Sequence, residues 1–130
     1  VYYLKELYEA ALTFYRKALG YYGELKIEDL ELKSNIFYNL SACYNNLKNY
    51  ELAKKYADEV CNIDKKLQNK ERYAKSLIKY SSTLIRSKEY SQAKRVLDEA
   101  KQILVQYNEE LTQSYVENNL DISKYSDNPE

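Results

Sequence analysis

The chain has 130 residues, in which 20 Lys and Arg are balanced by 20 Asp and Glu, with no His, no Trp, two Gly and one Pro. That is about one domain, and so few turn formers exclude a hairpin-rich β architecture and predict an all-α one. Zero formal charge provides no global field for nucleic acid or an anionic membrane, and no apolar run reaches the ~20 residues of a spanning helix.

In chain order, residues 1–4 are expected to be the last turn of a helix that begins upstream. Residues 6–22 then carry Leu7, Ala10, Ala11, Phe14, Tyr15 and Ala18 at helical spacing, with Gly20 and Gly23 marking the end. Asp29 is placed to cap a second helix running to residue 47, whose apolar face holds Ile36, Phe37, Leu40, Tyr44 and Leu47. Lys48 and Asn49 form the tight turn into a third helix over 50–67. Asn69 caps a fourth over 71–85, and Ser87 opens the turn into a fifth over 90–107. The segment EELTQSYVENNLDI carries a sparse stripe of Leu111, Tyr115 and Leu120 and is expected to be a final capping helix, followed by the polar tail 124–130. The helical domain is therefore expected to span 1–123.

One phrase recurs. Ser41 followed by Ala53, with Phe37, Leu40, Tyr44, Tyr50, Ala57, Val60 and Ile63 around them, supplies large and small residues where two antiparallel helices would need them. Ala93 repeats the place of Ala53 forty residues later, within EYSQAKRVLDEAKQI, and Ala11 stands in the same place within LYEAALTFYRKAL. This pattern resembles the tetratricopeptide (TPR) repeat over roughly residues 1–107. In that family the small residues let two helix backbones approach closely. The resemblance implies an α-solenoid of antiparallel helical hairpins, about three repeats plus the capping helix, because one hairpin cannot bury its apolar face alone. The forty-residue spacing exceeds the ~34 residues of the commonest TPR unit, and the extra length is expected in the third helix, around KKLQNKER.

Catalytic and metal chemistry find little to work with. There is no His, no glycine-rich phosphate loop and no spaced metal ligand set, so neither an enzyme activity of this fragment nor a cofactor is expected. Cys43 and Cys61 fall on packing faces and are expected to be core thiols, which suits a reducing, cytoplasmic setting. Of the 16 tyrosines, about half occupy repeat positions where an aromatic is structural.

The expected function is binding. In a TPR array the first helix of each repeat lines a concave face, and the resemblance puts Asn35, Tyr38, Ala42, Asn45 and Asn46 there, joined by Lys75, Ile78, Ser82, Ile85 and Arg86 from the next repeat. Such a groove suits an extended peptide of a protein partner. In co-chaperones, including immunophilin-type prolyl isomerases with the catalytic domain upstream, a carboxylate clamp grips the acidic C-terminus of heat-shock chaperones. Its pattern falls here on Asn39, Lys75 and Lys79, the last in place of an Arg, and its two first-repeat positions fall before Val1. Lys for Arg keeps the charge but loses the bidentate fork. The forty-residue spacing also resembles the TPR regions of bacterial peptide-pheromone regulators and of motor-cargo adaptors, which implies a peptide-sensing or scaffold role as the alternative.

Overall fold

A computed structural model describes residues 2–26 and 28–107. Five helices follow one another: α1 (Tyr2–Gly23), α2 (Leu30–Asn46), α3 (Tyr50–Lys66), α4 (Lys70–Arg86) and α5 (Tyr90–Tyr107). Each packs chiefly on the next in sequence, so the described residues form an α-solenoid. The expected capping helix lies outside the described residues.

The helices start where their caps dictate. Asp29 Oδ1 accepts from Leu32 N at 3.0 Å, Asn49 Oδ1 from Leu52 N at 3.4 Å and Asn69 Oδ1 from Arg72 N at 3.0 Å, each satisfying a first-turn amide that has no partner within its helix. Glu31, Glu51 and Glu71 in the first turns, and Lys65, Lys66 and Arg86 in last turns, match the helix dipole.

The helix ends are equally regular. Lys48, Gln68 and Lys88 all have positive φ, at 63°, 57° and 65°. Around Lys48 the bonds Lys48 N to Asn45 O (3.0 Å) and Asn49 N to Tyr44 O (2.9 Å) close a Schellman motif, and Lys88 and Glu89 repeat it onto Ile85 O and Leu84 O at 2.9 and 2.8 Å. Asn49 therefore both finishes α2 and begins α3. The period that results is twenty residues per helix: starts at Leu30, Tyr50, Lys70 and Tyr90, with 17 residues in each of α2, α3 and α4. This corrects the expectation that α3 alone absorbs the extra length. Both helices of the hairpin are extended, because each connection is the same three residues. A second correction concerns the N-terminus, where Tyr2–Gly23 is one uninterrupted helix of 22 residues and residues 2–4 belong to it. Its end does coincide with Gly23, although neither Gly takes a positive φ.

Packing follows the small residues. Ala53 is fully buried, and Ser41 donates its hydroxyl to the Ala53 carbonyl at 2.9 Å, so α2 and α3 meet there at backbone distance. Leu12, Ile36, Phe37, Leu40, Tyr44, Val60 and Ile63 close one core around them, and Cys61, Ala74, Leu77, Leu97, Ala100 and Leu104 form a second between α3, α4 and α5. Cys43 and Cys61 are buried and unbridged, one in each core. Arg16 ties α1 to α2 by donating Nη2 to the Tyr44 hydroxyl at 2.6 Å. Among the described residues no helix is long and apolar enough to cross a membrane.

Candidate functional site

The first helices of successive hairpins, α2 and α4, lie side by side and are bonded directly: Asn45 Nδ2 donates to Thr83 Oγ1 at 2.9 Å, and Arg72 Nη2 to Asn35 Oδ1 at 2.8 Å. Between these two links runs a groove floored by α3. It opens into two adjoining cavities. One, of about 240 Å³, is walled by Tyr38, Ala42, Asn45, Asn46, Lys79, Ser82, Thr83 and Arg86 over Ala57 and Val60. The other, of about 430 Å³, holds Ser34, Asn35, Tyr38, Asp64, Glu71, Arg72, Lys75, Ser76 and Lys79.

Charge is distributed unevenly between them. In the larger cavity Asp64, only 2% exposed, accepts from Ser34 Oγ at 2.7 Å and Arg72 Nε at 2.9 Å on Oδ1, and from Ser76 Oγ on Oδ2. Arg72 also lies 3.8 Å from Glu31, and Lys75 lies 3.1 Å from Glu71. Arg72 and Lys75 there have acidic neighbours. In the smaller cavity Lys79 holds its Nζ 5.1 Å from the centre of the Tyr38 ring, a cation–π contact. Neither Lys79 nor Arg86 has an acidic partner among the described residues.

Of the residues expected to face the groove, Asn35, Tyr38, Ala42, Asn46, Lys75, Lys79, Ser82 and Arg86 line these cavities. Ile78 does not. It is 7% exposed and belongs to the second core with Leu77 and Leu97, where burying an aliphatic side chain of its size contributes ~1.5–3 kcal/mol. Ile85 is half-buried and lines neither cavity. Asn39 is also set apart from Lys75 and Lys79: it lines an apolar cleft between α1 and α2, beside Phe14, Tyr15, Tyr22 and Ile36, and donates its amide to Asn35 O at 3.0 Å. Lys75 and Lys79 thus share a cavity that Asn39 does not.

Sequence reasoning missed Asp64, Arg72, Ser34, Ser76 and Thr83. The available signal was Asp64 itself, which stands at the fourth position of the stripe Ala57, Val60, Cys61, Asp64, where helical spacing calls for an apolar residue. Sequence reasoning was also silent on the Asn45 Oδ1 atom, buried and without a partner among the described residues.

Nucleophilic chemistry is not favoured by these surroundings. Burial pushes the Cys61 thiol up to about 12, helped by Asp58, Asp64 and Glu99, and burial also raises Cys43. Neither is a thiolate near neutrality. Burial and a hydrogen bond to Glu99 raise the Tyr73 phenol as well. No group of three or more Cys, Asp or Glu able to hold a metal occurs among the described residues.

A solenoid of helical hairpins with small residues at a crossing and a groove along its first helices defines a helical-repeat protein. Residues 34–67, covering most of the α2–α3 hairpin, match the tetratricopeptide repeat family, and the five-helix array fits a TPR domain. No curated protein and no solved structure matches the chain. TPR repeats generally mediate protein–protein interactions.

Proposed function

We propose that the groove between α2 and α4 binds an extended peptide segment of a partner protein. The observation that carries this reading is the open face shared by the first helices of two hairpins, where amide, hydroxyl, aromatic and cationic groups stand together over an α3 floor. An extended backbone offers donors and acceptors to the amides, and its side chains fill the pockets. The finer reading is an acidic C-terminus of the kind carried by heat-shock chaperones, supported by Lys75 and Lys79 in one cavity; Asn39, which lines the neighbouring cleft between α1 and α2, is not counted in its favour. The second reading, a peptide-sensing or scaffold module of a regulator, draws on the forty-residue hairpin, now seen to be two equal twenty-residue halves.

Fluorescence anisotropy tests both. A labelled peptide ending in Glu-Glu-Val-Asp should bind as the free acid about tenfold more tightly than as the amide, and should weaken as salt rises, because part of the attraction is screened Coulomb energy. Ala42→Trp, which fills the smaller cavity, should reduce binding of any groove ligand. Equal affinity of acid and amide would remove the C-terminal reading. Binding that ignores Ala42→Trp would remove the groove.

A further inference from the structure

We infer that the carboxylate-reading pair of this groove is Lys79 with Arg86, in the smaller cavity, and not Lys75 with Lys79. The inference rests on the peptide-binding reading above and names the ligand chemistry that reading leaves open: a carboxylate on an extended peptide, from an Asp or Glu side chain or from the C-terminus.

Two observations carry it. The lining of the smaller cavity contains Lys79 and Arg86 and no acidic residue, whereas the larger cavity sets Asp64 and Glu71 against Arg72 and Lys75. Apart from Lys79, which lines both cavities, an anion entering the larger cavity meets cations already engaged, Arg72 by Asp64 at 2.9 Å and Lys75 by Glu71 at 3.1 Å. One entering the smaller cavity meets Lys79 and Arg86, which have no counter-charge among the described residues. Lys79 and Arg86 are also seven residues apart on one helix, two turns and about 10 Å along the axis, so both stand on one face and their long side chains can converge over the intervening Ser82 and Thr83. Arg86 then supplies a planar fork suited to a carboxylate, and Lys79 a point charge held over the Tyr38 ring.

The test uses the 130-residue chain and a phage library of random dodecapeptides whose C-termini are fused to the coat protein, so that a selected carboxylate is a side chain. Selected peptides, made as amides, and the free-acid Glu-Glu-Val-Asp peptide are titrated against wild type, K79Q, R86Q and K75Q, with circular dichroism to check folding. The expected result is Asp or Glu enrichment, or preference for the free acid, with K79Q and R86Q each weakening binding about tenfold and more than K75Q does. A loss on K75Q equal to or larger than that on R86Q, or binders that carry no carboxylate, overturns the inference and leaves the groove standing. If no peptide binds, or binders are insensitive to these three variants and to Ala42→Trp, the groove reading falls and the inference with it.

Discussion

At the scale of single residues, Asp64 holds three helices together. Its carboxylate belongs to α3, accepts Ser34 from α2, and accepts Arg72 and Ser76 from α4, all at 2% exposure. A buried carboxylate is tolerated only when its oxygens are satisfied, and removing it leaves the fully buried Ser34 hydroxyl without its acceptor and the Arg72 guanidinium without its closest charge. Asp64→Ala should therefore destabilise the chain by about 2–4 kcal/mol in urea unfolding, the Arg72 contribution being discounted for its partial exposure, while Asp64→Asn should cost less because its carbonyl still accepts from Ser34. A loss below ~0.5 kcal/mol for Asp64→Ala would mean the network contributes nothing net. Ser41 and Ala53 show the opposite kind of legibility. Their contact could be read from the sequence, because a small residue on each helix at a crossing has few structural alternatives. The Asp64 network could not, since its partners are common polar residues eight to thirty positions away, and only the fold brings them together.

The elements are organised by their connections. Asx caps were readable at residues 29 and 69 because an Asp or Asn before a helical apolar pattern has a specific backbone role; Asn49, read only as part of a turn, caps α3 in the same way, and the observed helices start one residue after each of the three. The left-handed residues were not readable, since they are Lys48, Gln68 and Lys88 and none is Gly. Without them the forty-residue repeat distance could be divided between its helices in many ways, which is why α3 was expected to carry the surplus. Gln68 isolates the effect, as its exposed position puts conformation ahead of packing. A left-handed non-Gly residue costs ~1–2 kcal/mol, so Gln68→Gly relieves that strain, offset in part by ~0.5–1 kcal/mol of added freedom in the unfolded chain. The expected net change is a stabilisation of about 0.5 kcal/mol. Gln68→Val, β-branched and poorly suited to positive φ, should destabilise by about 1–2 kcal/mol. Thermal melts that rank Val at or above Gly would show that the α3–α4 turn is not the left-handed one described.

Over the whole molecule, stability in a solenoid is close to a sum of helix terms and nearest-neighbour contacts, and it need not be uniform along the array. Helix α1 is the weak member. It leaves Leu4, Leu7, Phe14 and Tyr21 exposed at 52%, 48%, 67% and 67%, and carries Gly20 in its last turns, a residue costing ~1 kcal/mol relative to Ala inside a helix. Helix α3, by contrast, is packed by α2 on one side and α4 on the other, contributes to both cores and carries Asp64. Hydrogen exchange read by mass spectrometry should accordingly find α1 amides opening locally, with protection at least about a hundredfold below that of α3, which should exchange only by global unfolding. Equal protection in α1 and α3 would show that the array unfolds as one block and that the exposed face of α1 has no energetic consequence. A groove ligand adds a second pattern to the same measurement. Because the groove walls are α2 and α4, a bound peptide should slow exchange in residues of both, 38–46 and 79–86, while the extra protection of α1 stays small. A ligand that protected α1 and the cleft of Phe14, Tyr22 and Asn39 instead would move the binding surface to the apolar side of α2.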